Sequence, residues 1–500
     1  MHPLPIVPAP AVLTARPSHA PFVLSAETVL SGDPAAAGVL ADLVSARTGD
    51  TPVVAAGGGD ITFRLGGEGV PESYRVTVGE ASVSVIARDA AGLYYGAHTL
   101  GQLLGRDGAR WVLPAVDIED APRFAYRGAM LDVARHFFDV DTVKAYIDRA
   151  SSLKLNVLHL HLSDDQAWRL ELSSRPKLTQ LAAGTGVGGG PGGYYTKADY
   201  AAIVAYAAEH HMTVVPEFDM PSHTHAVGLA YPELVEDPVL RDTAGIDAPR
   251  PERGVPYTGM EVGFSSLRIH DEATYDFAAD VFGELAAMTP GPYLHFGGDE
   301  PLATSDEDFA TFVARVSAII ADLGKTPVAW HEAGAAADVH DDTIGQYWGF
   351  LAPADGVDDM ARTFVRNGSQ LILSPADAVY LDMKYDAGTP LGLTWANGPT
   401  SVERAYAWEP SDLIDGISDD DILGVEGPLW TETIRDLDDI DAMAFPRIAA
   451  VAEAGWSPAA GSHEQRTWES FRQRVGALGP LWASLGIRFT SSREIDWVTA

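Results

Sequence analysis

The chain has no cysteine among its 500 residues, which excludes disulfides, thiolate metal sites and cysteine nucleophiles. Basic residues are scarce: 34 lysines and arginines stand against 70 aspartates and glutamates, a formal charge of −36. Such a surface repels nucleic acid and anionic membrane, whereas a neutral sugar is indifferent to it. Long apolar runs are missing too, and no segment approaches the roughly 18 consecutive apolar residues of a membrane helix. The start, Met1 to Pro8, lacks a basic stretch followed by an apolar core, so no signal peptide is expected and the protein reads as cytoplasmic, although a secreted form trimmed of its leader would read the same way.

What is present is enough for a large core, at 46% hydrophobic residues, in one large or two smaller domains. Residues 1–120 read as a small α/β domain. A helix over 33–47 with Asp33 near its start is followed by alternating strands at 60–66, 73–79 and 82–88, then a helix at 90–105 and an extended stretch at 111–118. The acidic, proline-marked turn Glu119-Asp120-Ala121-Pro122 marks the boundary. From 121 to 500 strand and helix alternate. Strands are expected at 126–134, 156–163, 213–220, 293–298, 326–331, 344–349, 370–375 and 422–427, with helices at 140–153, 197–211, 271–288, 305–323, 356–367 and 437–454. Eight such units predict a closed (β/α)8 TIM barrel, with an aromatic-rich helix at 467–485 packed outside it.

In such a barrel, chemistry sits at the C-terminal ends of the strands. Those ends are densely polar here: His159, His161, Asp164 and Asp165 after the second strand, Asp219, His223 and His225 after the third, and His295, Asp299 and Glu300 after the fourth. Trp330-His331-Glu332, Tyr347-Trp348, Tyr380, Asp382, Trp395 and Trp430-Thr431-Glu432 complete the rim. Taken singly, each has a structural explanation, such as a helix cap or a satisfied core histidine. Together they describe a sugar site, because flat apolar faces such as Trp330, Trp348, Trp395 and Trp430 pack on pyranose C–H groups while carboxylates and arginine bind its hydroxyls. Trp456, Trp468, Trp482 and Trp497 read as core packing.

The run His295-Phe-Gly-Gly-Asp299-Glu300 resembles the catalytic signature of the family 20 glycoside hydrolases, the β-N-acetylhexosaminidases. LDVARHFF with Arg135, HLHLSDDQAWRLEL, DMPSHTHA, YLDMKY and GPLWTE resemble further blocks of that family, in its order, across residues 127–432. Ser222 and Ala167 stand where many members carry glycine, and His225 where a small amide is common, which affects subsite shape and no chemical role.

Most retaining glycosidases oppose two carboxyls about 5–5.5 Å apart, and this family is an exception. Asp299 and Glu300 are adjacent, so their side chains diverge and suit an acid–nucleophile pair poorly. The resemblance implies that the substrate's own 2-acetamido oxygen is the nucleophile, in an exo-acting enzyme that needs no cofactor and no metal. It implies Glu300 as general acid and base with a raised pKa, Asp299 as the ionised group that accepts the acetamido N–H, and Tyr380 as donor to the acetamido oxygen. Trp330, Trp348 and Trp430 would enclose the acetamido methyl. Arg135 would bind O3 and O4, Asp382, Trp395 and Glu432 would serve O4 and O6, and Asp164 with His223 would tune the acid. The implied partner is a carbohydrate ending in N-acetylhexosamine.

Two readings from other classes share parts of this pattern. A metal-dependent amidohydrolase would use His159 and His161, whose i,i+2 spacing puts both imidazoles on one face, with His223, His295 and Asp299. Against it, the pair lies on the second strand and no strand-end lysine is available to bridge two metals. A non-catalytic sugar-binding barrel would not need the Asp299-Glu300 pair. Gly184, Gly186 and Gly189 form a G-x-G-x-x-G without a preceding strand, so a flexible rim loop is expected there, with Tyr194 and Tyr195 at an entrance. Glu209-His210-His211 at a helix end reads as solvated surface.

Overall fold

The computed structural model describes residues 3–240 and 249–498. In the N-terminal region, seven strands form a mixed sheet in the spatial order Val12–Ala15, Val116–Asp120, Tyr74–Val78, Val83–Ala87, Ile61–Leu65, Val29–Gly32, Val53–Ala55. Helices Pro34–Thr48 and Ala90–Leu103 pack side by side on it. Each starts at an aspartate whose carboxylate accepts an orphan N–H of the first turn: Asp33 from Ala36 at 3.0 Å and Asp89 from Gly92 at 2.9 Å.

The acidic boundary stretch, expected as a turn, is more than a linker: Glu119 and Asp120 end the strand Val116–Asp120, paired with Arg75 and Tyr74. Asp120 is buried and accepts hydrogen bonds from the Trp456 indole at 2.9 Å, from Lys154 Nζ at 2.9 Å and from the Tyr74 hydroxyl at 2.5 Å. Lys154 is wholly buried, so this ion pair joins the small sheet to the barrel where each charge depends on the other.

The barrel is closed by eight parallel strands: Tyr126–Asp132, Val157–His161, Thr213–Glu217, Tyr293–His295, Thr326–Trp330, Ile344–Tyr347, Leu371–Leu373 and Ile422–Gly427. Alternation along the strands sorts the interior into layers. Tyr126, Val157, Val215, Val328, Ile344 and Ile372 form an apolar floor. Two residues further along come His159, Glu217, His295, Trp330, Gln346 and Glu426, all buried. This second layer is polar and bonds to itself: Glu426 accepts from His159 Nδ1 at 2.8 Å and Gln346 Nε2 at 2.7 Å, and Glu217 accepts from the Trp330 indole at 2.9 Å.

Three readings from sequence need correction. The helix expected over 437–454 is two helices, Leu437–Ala444 and Arg447–Trp456, because Pro446 has no N–H to continue the first. His210 and His211 are half-buried, not solvated, since Tyr94 of the small domain packs edge-on against both rings at 6.0 and 5.3 Å. The glycine-rich stretch is pinned. The buried Arg169 guanidinium donates to the carbonyls of Ala183, Thr185 and Gly193 on that loop and to Val133 and Ala134 beside Arg135. Tyr195 is also buried, with its hydroxyl donating to the Phe138 carbonyl at 2.6 Å, so only Tyr194 faces solvent.

Candidate active site

A cavity of about 530 Å³ opens at the C-terminal end of the barrel, lined in part by Arg135, Asp299, Glu300, Trp348, Tyr380, Trp395, Trp430 and Glu432. The fourth strand delivers the two acidic residues through a turn that only glycine can make. Gly297 and Gly298 have φ of 72° and 94°, and a Cβ on Gly297 would lie 1.7 Å from Asp219 Oδ1. Glu300 itself has φ 45°, an uncommon left-handed conformation for a residue with a side chain.

His223 couples this turn to the second strand. Its Nδ1 lies 3.2 Å from Asp164 Oδ1 and its Nε2 lies 3.4 Å from Glu300 Oε2 and 3.6 Å from Asp299 Oδ2. Burial opposes charging of this imidazole, but Asp164, Asp219 and Asp299 outweigh it and hold its pKa well above the ordinary value. Asp164 also pairs with Arg135 Nη2 at 2.8 Å.

Burial falls most heavily on the neighbours of Glu300, whose own side chain keeps 28% exposure. Asp299 is raised to about 6, first by desolvation, with Glu332 and Glu300 adding repulsion. Asp219, whose Oδ1 accepts the Gly298 N–H at 3.0 Å, is raised well above its usual value by burial and by Asp299. Glu332 is raised to about 7 by burial.

The aromatic residues form a separate cluster at the barrel mouth with Met130, Met383 and Ala396. The Trp330 and Trp430 ring centres are 5.9 Å apart, Tyr380 lies 6.3 Å from Trp430 and 5.6 Å from Trp395, and Trp348 lies 6.0 Å from Trp395. Trp330 is fully buried, Tyr380 nearly so, and Trp395 is 46% exposed at the rim. Arg135 stacks its guanidinium 4.8 Å over the Trp430 ring.

Several buried polar atoms of this site have no hydrogen-bond partner among the described residues: Arg135 Nε, both oxygens of Asp382, Glu432 Oε2 and Asp299 Oδ1. Buried polar atoms are almost always satisfied, so such a concentration marks where a polar ligand makes the missing bonds. One donor and four acceptors beside flat aromatic faces suit a molecule with several hydroxyls and an amide N–H.

All twelve residues singled out from sequence converge here. Sequence reasoning missed the apolar rim residues Met260, Val262, Phe350 and Leu393, which carry no polar signal. It also assigned no role to Glu332, although that residue stands in the Trp330-His331-Glu332 cluster. Glu332 accepts hydrogen bonds from the Glu300 backbone N–H at 3.4 Å and from the Trp348 indole at 2.9 Å. The amidohydrolase reading is not favoured: inside the barrel His159 is engaged by Glu426 and His161 by Asp164, with Glu217 beside both rings. Burial opposes charge on both imidazoles, yet Glu426 and Glu217 outweigh it and raise them to about 10 and about 9.

The comparisons with known proteins agree with this geometry. The pattern of glycosyl hydrolase family 20, catalytic domain, matches residues 124–459, and that of glycosyl hydrolase family 20, domain 2, matches residues 4–121. A β-N-acetylhexosaminidase of Cellulomonas fimi is 42% identical over 98% of this chain and 97% of its own length. A solved family 20 β-N-acetylglucosaminidase superposes with a TM-score of 0.92 at 65% identity, covering 99% of this chain and all of the other. The Streptomyces plicatus N-acetyl-β-hexosaminidase in complex with Thio-NAglucal superposes with a TM-score of 0.89 at 46% identity, covering 99% and 98%. This chain belongs to glycosyl hydrolase family 20.

Proposed function

We propose that the protein is an exo-acting, retaining β-N-acetylhexosaminidase that removes terminal β-linked N-acetylglucosamine, with N-acetylgalactosamine as a second substrate, by substrate-assisted catalysis. The observation that carries this reading is the set of unpartnered buried polar atoms on Arg135, Asp299 and Glu432, which line one aromatic cavity together with Glu300.

Glu300 gives its proton to the glycosidic oxygen as the C1–O bond breaks. The substrate's acetamido oxygen attacks C1 from the other face, forming a bicyclic oxazolinium ion. Asp299 accepts the acetamido N–H and offsets the positive charge that spreads over the new ring. Tyr380 donates to the acetamido oxygen and holds it under C1, while Trp330, Trp348 and Trp430 enclose the methyl. Glu300, now a carboxylate, then takes a proton from the water that opens the ring. Two inversions give net retention. Arg135, Asp382, Glu432 and Trp395 bind the hydroxyl groups of the terminal sugar, and His223, backed by Asp164, faces Glu300.

A panel of aryl β-glycosides differing at C2 and C4 tests this. Turnover of the N-acetylglucosaminide with none of the glucoside is expected, and a thiazoline mimic of the cyclic intermediate should inhibit strongly. Equal turnover of the aryl glucoside would sink the mechanism.

A further inference from the structure

Glu332 is the second residue of the short turn His331–Ala335 that follows the fifth barrel strand, and its side chain keeps only 17% exposure. Oε1 accepts the backbone N–H of Glu300 at 3.4 Å, and Oε2 accepts the Trp348 indole N–H at 2.9 Å. The charged and titratable groups around it are Glu300, Asp299, Tyr380 and His331, the last with Nδ1 3.7 Å from Oε2. We propose that Glu332 is a positioning residue whose two carboxyl oxygens hold the backbone of the acid Glu300 and the indole wall of Trp348 in one geometry.

The argument starts from Glu300. A left-handed residue following two positive-φ glycines has little intrinsic preference for its conformation, so the direction of its carboxyl must be set from outside. The Glu300 carbonyl accepts the Leu302 N–H at 2.6 Å, and the bond to Glu332 holds the other backbone polar group of Glu300, its N–H. The other Glu332 oxygen reaches Trp348, which directly follows the next strand, Ile344–Tyr347, and lines the cavity. Through Glu332, the acid that protonates the leaving oxygen and the wall that confines the acetamido group are fixed relative to each other. Both must be in register when C1 is attacked. A carboxyl suits this task in either protonation state, since each oxygen retains acceptor capacity. Glutamine would place an NH2 against one of the two donors, and aspartate is one methylene too short to reach both.

This inference rests on the roles proposed above for Glu300 and Trp348. Its test compares two substrates of the full-length protein, with kcat normalised to active sites. N,N′-diacetylchitobiose needs protonation of its leaving group, whereas 2,4-dinitrophenyl N-acetyl-β-glucosaminide needs very little. In E332Q, kcat for the disaccharide should fall roughly tenfold to a hundredfold and for the dinitrophenyl substrate by roughly threefold to tenfold, with KM changed less than kcat. A residue that merely supported the fold would lower thermal stability while leaving the ratio of the two kcat values alone. An unchanged ratio in E332Q would therefore overturn the proposal, while wild-type turnover and thiazoline inhibition would leave the proposed function standing. Trp348→Phe gives a second route, because it deletes the indole N–H and keeps an aromatic wall. If Glu332 acts through Trp348, the double variant should lose less than the product of the two single losses. Multiplicative losses would overturn the clamp even if E332Q were poorly folded.

Discussion

His223 stands between two carboxylates, with Nδ1 3.2 Å from Asp164 Oδ1 and Nε2 3.4 Å from Glu300 Oε2. Asp164 is held well below the usual carboxylate range: burial opposes its charge, and Arg135 and His223 outweigh that cost. The acid therefore faces a buried imidazole whose position is fixed from behind by Asp164. His223→Ala should lower kcat/KM on the disaccharide by roughly tenfold to a thousandfold and shift the alkaline limb of the pH–rate profile, where the acid loses its proton. A profile unchanged in shape would show that His223 has no part in tuning the acid.

Asp299→Ala removes the acceptor for the acetamido N–H and the charge opposite the oxazolinium ion. The expected loss in kcat is roughly two to four decades, measured on an aryl N-acetylglucosaminide. The loss should exceed any rise in KM, because the interaction strengthens as positive charge develops.

Tyr380→Phe keeps the buried ring against Trp395 and Trp430 and removes only the hydroxyl. We expect kcat to drop by roughly tenfold to a thousandfold, on the scale of one lost positioning donor. Thiazoline affinity should fall in parallel, since the inhibitor places its ring heteroatom where the acetamido oxygen sits. A Phe variant with normal inhibitor affinity would remove Tyr380 from the mechanism.

Most of the barrel was legible because its signals are local. Each of the eight strands is a short β-rich run ending in a polar cluster, and alternation within the run decides which side chains enter the barrel. The acetamido-pocket tryptophans and the two acidic residues were legible for a related reason, since they lie at strand ends where the fold gathers them. What was not legible depends on distant partners. Val12–Ala15, Phe22–Leu24, Val29–Gly32 and Val53–Ala55 are only three or four residues long, and neighbouring strands define them more than their own pattern does. The ordering of the glycine-rich loop comes from Arg169, whose guanidinium meets carbonyls from residues 133 to 193. Glu332 was seen as part of a motif, yet its role follows from Glu300 and Trp348, and neither contact is written in local sequence.

Arg169→Met should show how much that loop matters. The substitution keeps an unbranched apolar stem, removes the guanidinium and leaves five carbonyls without their charged donor. A loss of at least about 3 kcal/mol in unfolding free energy is expected from denaturant titration. The Arg135 carbonyl also accepts from Val187 on the same loop at 2.9 Å, so KM should rise in the folded fraction as the sugar-binding arginine loosens.

The raised carboxyls of the site give stability a pH dependence whose sign is fixed. Glu332 sits at about 7 in the folded protein, because burial penalises its charge, against an ordinary 4.5. Asp299 sits at about 6 against 3.8, again chiefly through burial. Between those limits the folded state binds more protons than the unfolded one, so these two groups make stability fall as pH rises from about 4 to 7. E332Q cannot ionise there and loses one of the two contributions, at most about 1.4 kcal/mol per pH unit. The difference in Tm between E332Q and wild type should therefore grow more positive from pH 5 to pH 7 and level off above it. The Asp299 slope remains in both proteins and ends nearer pH 6. A difference that stays flat across that window would mean that Glu332 ionises as readily as an exposed glutamate.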